Sequence, residues 1–527
     1  MSGIVSPRTS AIAAALQQRT ATRLDRLDDE ALYAYLADAL YEERRRIERG
    51  NASDDGQSGY LALLDEAAKA IRQDRDHMQR ALLSLVSHYA GEIHNRFSER
   101  AYNFATRFLP GALTRLLTAA QPSQLLGADF DPASRLVVQG PVDQLRALSQ
   151  DHTLLIAPTH LSNLDSPLIG YALYEANLPP CIYGAGLNLF TNPAMSFFMS
   201  RLGAYTVDRR KKHALYKDVL KDYSVESFRR GAHSLFFPGG TRSRSGRLET
   251  RLKKGLLGTP IQAWQENLDN NSKKGEILVV PCTLSFALVL EAETLIEDAL
   301  AEAGKSRYII TDDEFSEART VASFARRVLS LDASTYIRFG QPLDLLGNPV
   351  DMQGRSLGPS GDPIDRAAYV TDRDGQIIWD QQRDRVYTAR LAASIADTYS
   401  RDNIALSTHV AGFVSWELLK AQWPRLDAFQ LAVLRPSERR LPRAALLAGI
   451  DRVITGIRRR ASDGLIREAL PAGGAEPLFE DALFRFSGFH KRRALRQVGD
   501  EVEVGPKLAL YYSNRLRGYG LEKEVVA

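Results

Sequence analysis

The chain has 527 residues, 44% hydrophobic and 25% charged, and its 68 Lys and Arg against 64 Asp and Glu leave a net charge of +4. Apolar material on this scale excludes a disordered or fibrous chain and fits about two to four globular domains. The near balance of charge makes no case for a polyanion partner, although local basic patches stay open. Two cysteines, Cys181 and Cys282, cannot build a disulfide framework or a cysteine-rich metal site, and a reducing compartment fits them best.

The N-terminal stretch carries an Ala-rich patch without the sustained apolar core of a signal peptide. No run approaches the roughly 20 apolar residues of a spanning helix, so any membrane association is expected to be peripheral. From Asp29 to about residue 120, apolar residues recur at three and four with charges between, which predicts helices. Residues 1–125 are therefore read as an N-terminal helical domain. Its cluster Arg44, Arg45, Arg46 and Arg49 before Gly50 suits a solvated helix C-terminus.

From about residue 130 the texture becomes short apolar runs separated by helical spacers. Strands are expected at 153–158, 204–207, 233–238, 276–286 and 335–340, so residues 126–345 read as an α/β domain with a central sheet and flanking helices. Residues 346–380, dense in Gly, Pro and Asp, read as a loop-rich insertion. Residues 381–527 return to helical spacing and read as a C-terminal helical extension. No internal repeat is evident.

Three segments concentrate chemistry. In TLLIAPTHLSNLDSP a strand runs into a polar loop, and a helix is expected to start at Ser166 and Pro167. His160 and Asp165 lie in that loop and can meet. An aspartate on one imidazole nitrogen leaves the other to take a hydroxyl proton, as in a hydrolase triad whose nucleophile is the substrate's own alcohol; equally, the pair could simply tie the loop. Residues 201–217 hold six cations against Asp208, and residues 241–255 hold six against Glu249, a net +5 each. The second follows Gly239 and Gly240 at a strand end. Glycines there can turn amides toward an anion and arginines offer planar forks, so a phosphate clamp stands beside a solvated surface and a nucleic-acid patch as readings. The segment lacks a nucleotide P-loop's final Lys-Ser or Lys-Thr, and no aromatic platform interleaves the cations.

Four blocks in order, His160 to Asp165 as an HX4D motif, GAYTVDR from Gly203 to Arg209, FPGGTRSRSG from Phe237 to Gly246, and VVPCTLSF from Val279 to Phe286, resemble the glycerolipid acyltransferase family. The likeness is greatest to bacterial glycerol-3-phosphate acyltransferases, and it extends to their lysophosphatidate and dihydroxyacetone-phosphate relatives. It implies His160 as base and Asp165 as its partner. It also implies Arg209, Arg242 and Arg244 on the acceptor phosphate, with Gly203, Gly239, Gly240, Thr241, Ser243 and Pro281 shaping the pocket. The implied reaction moves a fatty acyl group from acyl-CoA or acyl carrier protein to the first hydroxyl of glycerol 3-phosphate, without a metal or other cofactor and without nucleic acid. The implied setting is the cytoplasmic face of an anionic membrane, in phospholipid synthesis.

Two features depart from the family pattern. Gly239 stands where many members carry Glu after Phe-Pro, and Asp208-Arg209 is closer to the lysophosphatidate branch, whereas length and the C-terminal blocks favour the glycerol-3-phosphate branch. Lysophosphatidate or another phosphorylated acceptor is one alternative, and a non-catalytic lipid- or phosphate-binding scaffold is another. The remaining histidines form no metal-ligand pattern, and Trp416 reads as helix packing.

Overall fold

A computed structural model describes residues 9–49, 57–93, 97–98, 100, 102, 136–187, 201–270, 276–289, 291–303, 335–487, 490 and 492–526. The stretch of the expected helical pattern from residue 103 to about 120 and the boundary between residues 125 and 126 lie outside the described residues. Helices α1 (Thr9–Asp25), α2 (Asp29–Glu48), α3 (Gln57–Ala70) and α4 (Arg75–Ile93) form the N-terminal bundle. Leu32, Leu36 and Leu40 of α2 and Leu82, Leu85, Val86 and Tyr89 of α4 recur at helical spacing and are buried against one another. The solvated helix end holds for the exposed Arg44, Arg45 and Arg49 and fails at one residue. Arg46 of the basic helix end turns inward to the buried carboxylate of Glu43, 2.8 Å away, instead of standing in solvent.

The central domain comprises β1 (Leu136–Gln139), α5 (Val142–Asp151), β2 (Thr153–Pro158), α6 (Asp165–Glu175), β3 (Ile182–Gly186), β4 (Ala204–Val207), α7 (Ala214–Arg229), β5 (Ser234–Leu235), α8 (Thr259–Asp269), β6 (Ile277–Phe286), α9 (Ala292–Ala303) and β7 (Thr335–Phe339). Its seven strands lie in the order β1-β7-β6-β2-β5-β3-β4. Strands β6, β2, β5, β3 and β4 are parallel; β7 runs against β6 and alongside β1. Both faces are covered, which is why the central strands read as unbroken apolar runs. Leu154 and Ile156 of β2 with Leu278 and Val280 of β6 enter one core, while Leu155, Ala157, Ile277 and Val279 enter the other. Strands β1 and β3 carried no usable sequence signal: β1 is a half-buried edge, and β3 reads Ile-Tyr-Gly-Ala-Gly. The expected strand at 233–238 contracts to Ser234 and Leu235, because the chain then turns at Pro238, which has no N–H to give a ladder.

The helix after β2 starts at Asp165, one residue before the expected Ser166. Residues 341–380 do contain a short repeat, against the sequence reading. Asp344, Asp351 and Asp372 each accept, on one carboxylate oxygen, the N–H groups two and four residues on, and Gly347, Gly354 and Gly375 follow each by three. Their φ values of 87°, 79° and 77° explain why glycine recurs.

The C-terminal region holds α10 (Gln381–Asp402), β8 (Ile404–Ala405), α11 (Ser407–Gln422), β9 (Arg440–Pro442), α12 (Arg443–Ser462), β10 (Arg467–Glu468), α13 (Ala475–Phe486), β11 (Leu495–Val498), β12 (Glu501–Val504) and α14 (Pro506–Ser513). It is not purely helical: β8 pairs with β10, and β11, β12 and β9 form an antiparallel sheet. The hairpin of β11 and β12 turns on Gly499 and Asp500, a two-residue loop flanked by alternating residues. Trp416 of α11 is buried, and α11, α13 and α14 share one apolar core with β6 and α6. Among the described residues, no helix is long and apolar enough to cross a membrane.

Candidate active site

Strand β2 ends at Pro158, and His160 follows on the loop to α6. Its Nδ1 lies 2.8 Å from Asp165 Oδ2, and its ring stacks on Phe237 at 4.1 Å between centroids. That carboxylate oxygen also accepts the main-chain N–H of Leu161 at 2.6 Å and of Ser162 at 2.9 Å. Asp165 is fully buried, so its orientation is set by these donors rather than by water. With Nδ1 donating to Asp165, the Nε2 lone pair is left for a proton from elsewhere.

A second carboxylate continues the pattern. Glu291, next to α9, accepts the Ser162 hydroxyl at 2.9 Å and the Asn163 N–H at 2.9 Å, and it pairs with Arg242 at 3.2 Å. Burial, first, holds its carboxyl above the usual range. Ser243 N–H donates to His160 O at 2.7 Å, so the first and third sequence blocks are joined backbone to backbone. The fourth joins through Thr159, whose N–H donates to Cys282 O and whose hydroxyl accepts the Leu284 N–H.

Among the described residues, Arg209 forms no ion pair, and the charge of Arg242 acts on it. Desolvation by the surrounding chain, and after it the positive charge of Arg242, lower the pKa of Arg209. An anion near both guanidiniums would relieve this repulsion. Three other cations of the expected basic blocks are committed elsewhere. Arg210 binds Asp208 and Arg244 binds Glu302, each within 3 Å. Lys211 is buried, paired with Glu92, and lies 4.5–5.4 Å from the ring centroids of Tyr60, Tyr89 and Tyr216. Glu92, Glu291 and Glu302 thus bring acids from outside the two blocks to Lys211, Arg242 and Arg244.

The expected pocket-shaping residues divide. Gly239, Gly240, Thr241 and Ser243 form the turn and loop beside His160, with Gly240 N–H donating to Phe237 O. Gly203 and Pro281 do not belong with them. Gly203 opens β4, at the end opposite Arg209, where an added Cβ would lie 2.8 Å from Cys181 O. Pro281 sits inside β6 opposite Ala157, three residues before His160, and its carbonyl accepts the Gly340 N–H. Both are parts of the sheet rather than of the loop cluster.

Sequence reasoning missed Glu249, Glu291 and Phe237 as site residues. Glu249 had one signal: it is the lone acid in a stretch of six cations. Its Oε1 accepts the main-chain N–H of His160 at 3.1 Å. No group of His, Cys, Asp and Glu among the described residues is arranged to hold a metal.

A histidine–carboxylate pair at a strand end, joined by its backbone to an arginine loop, defines a class of acyl-transfer domain, and residues 141–285 match the family model described as Acyltransferase. Over those residues the chain is similar to acyltransferase domains, and the curated relatives that it matches are glycerol-3-phosphate acyltransferases. The chain is 32% identical over 205 residues to the glycerol-3-phosphate acyltransferase of Haemophilus ducreyi (strain 35000HP / ATCC 700724) and 31% identical over 207 residues to that of Baumannia cicadellinicola subsp. Homalodisca coagulata. These matches take in 38% and 39% of this chain; the chain spans about a quarter of each relative's length, 23% in both. A solved structure, the 1-acyl-sn-glycerophosphate (LPA) acyltransferase PlsC from Thermotoga maritima, is 15% identical over 46% of this chain and 71% of its own, with a TM-score of 0.25.

Proposed function

We propose that the protein transfers a fatty acyl group from acyl-CoA or acyl carrier protein to the sn-1 hydroxyl of glycerol 3-phosphate, as a step of phospholipid synthesis. The observation that carries this reading is the His160–Asp165 pair tied backbone to backbone to the loop that carries Arg242, whose charge reaches Arg209. The phosphate lies between the two guanidiniums, which fixes one end of the acceptor and directs a hydroxyl toward His160 Nε2. Nε2 takes the hydroxyl proton as the oxygen attacks the thioester carbonyl. The tetrahedral intermediate then expels the thiolate, which recovers the proton from His160, so an O–C bond replaces the S–C bond. The thioester is itself the activated species, and the scheme calls on no metal or other cofactor.

The N–H groups of residues 160–163 are all directed at Glu249, Asp165 and Glu291, so they are not donors for the intermediate's oxyanion. We place the enzyme peripherally at the cytoplasmic face of an anionic membrane, where its acyl product partitions. The test is thiol release from acyl-CoA and from acyl carrier protein with glycerol 3-phosphate, dihydroxyacetone phosphate and lysophosphatidate, comparing wild type with H160A. Release that depends on glycerol 3-phosphate and disappears in H160A supports the reading. Preference for lysophosphatidate would move the acceptor, and no acceptor-dependent release would leave a phosphate-binding scaffold. Sedimentation with anionic vesicles tests the location: protein that stays in the supernatant opposes it. Salt-dependent binding to a nucleic acid would oppose the small-phosphate assignment.

A further inference from the structure

Glu249 lies on the segment that returns beneath the Phe237–Gly240 turn, a path fixed by Lys253 N–H donating to Pro238 O at 2.7 Å. An ideal Cβ on Gly239 would stand 2.5 Å from Glu249 Oε1 and 2.8 Å from its Cδ. The carboxyl group therefore fills the space a side chain at Gly239 would need. From there Oε1 takes the His160 N–H, while Oε2 is buried with no partner among the described residues.

We infer that Glu249 is a positioning residue for His160, holding its backbone from beneath Gly239 while Asp165 holds its ring. The inference rests on the reading of His160 as the base. Three carboxyl groups from three segments then suspend four consecutive amides: Glu249 takes residue 160, Asp165 takes 161 and 162, and Glu291 takes 163. Only the first of these depends on a glycine across the gap.

The charge on Glu249 matters as well as its reach. Asp165 and Arg515 act on it electrostatically in opposite senses, the His160 N–H donates to it, and Tyr399 feels its charge. Burial pushes the Glu249 carboxyl up to about 8, and the charge of Asp165 adds to the rise. At neutral pH the group is a protonated acid, and the imidazole answers to one carboxylate, Asp165. Above that range a second negative charge appears next to the first.

The test compares wild type with E249Q, E249A, G239A, G239A/E249A and H160A. Hydrogen exchange of the segment 159–163 reads the positioning without any substrate. Protection retained in E249Q and lost in E249A supports the inference, and equal exchange in all variants overturns it, whatever the protein's activity. In acyl transfer, E249A is expected to lower kcat up to about 100-fold with the acceptor KM little changed. G239A should cost activity in wild type and nothing further in E249A, where the clashing carboxyl is gone; additive losses overturn the packing relation. The alkaline limb of the rate profile near pH 8 should be missing in E249Q, and an unchanged limb overturns the role of the proton. A wild type without transferase activity would defeat the acyl-transfer reading, while the exchange result still decides the positioning.

Discussion

His160 is held by its ring and by its backbone, and each hold has a separate consequence. Replacement by alanine removes the proton acceptor and is expected to lower acyl transfer by about 10²- to 10⁴-fold, the usual contribution of a placed general base. Arg209 differs in kind: the charge of Arg242 acts on it, and it has no carboxylate partner among the described residues. Arg209→Ala should therefore raise the acceptor KM by roughly 10- to 100-fold, as expected for a lost hydrogen bond to a charged group, while kcat falls less. Steady-state kinetics with varied acceptor separate the two outcomes. Glu249 makes a prediction about stability. Its carboxyl is raised to about 8, so the folded state keeps a proton that the unfolded chain sheds above about 4.5. Its stabilising contribution is complete below pH 4.5 and is lost as the pH rises to 8. Urea unfolding of E249Q should lack that decline, and parallel slopes for variant and wild type would contradict it. His160, Asp165 and Arg242 were readable because they sit in contiguous motifs. Glu249 was not, because its meaning depends on a glycine ten residues earlier, across a turn.

At the level of elements, the bundle α1 to α4 meets the segment after Arg209 at Lys211, His213 and Ala214. Lys211, two residues beyond Arg209, enters the cage of Tyr60, Tyr89 and Tyr216 and pairs with Glu92. Glu43 lies beside the same cage. Burial opposes its charge, but hydrogen bonds from His213 and Arg46 outweigh that and hold its carboxyl below the usual range. Lys211→Met keeps the volume and removes the cation, so it should destabilise the fold by about 1–3 kcal/mol and raise the acceptor KM by loosening the Arg209 turn. Denaturant unfolding and kinetics read both. A stability loss with an unchanged KM would show that the cage only joins the bundle to α7. The sequence marked this lysine as one of six cations facing a ligand. Periodicity and charge counts cannot tell an exposed cation from one enclosed by rings from two distant helices. The repeated Asp turns of residues 341–380 escaped notice for a related reason: their seven-residue register is broken by Gly358, and the hydrogen bonds to Asp344, Asp351 and Asp372 show that they are one device.

For the molecule as a whole, the α/β domain was legible in its central strands, where two covered faces require continuous apolar runs. The C-terminal region was legible as helices but not as a layer of the same core. Its junction with β6 is polar and buried. Arg515 donates to Leu284 O and Asn403 Oδ1, and His409 of α11 lies 3.0 Å through Nε2 from Phe286 O. Burial pushes His409 down to about 3, and the charge of Arg515 adds to it; burial alone does the same to His490, beside Tyr512. Both imidazoles are neutral in the fold, whereas the unfolded chain protonates them below about pH 6.5. Their contribution to stability is present above that pH and is lost as the pH falls from 6.5 toward 3. Acid should therefore loosen the packing of α11 on the end of β6. His409→Gln keeps an N–H within reach of Phe286 O but cannot titrate, so its thermal midpoint should fall less steeply than that of wild type between pH 6.5 and 4. If both proteins lose stability with the same slope, acid acts elsewhere, and this junction does not set the lower pH limit of the fold.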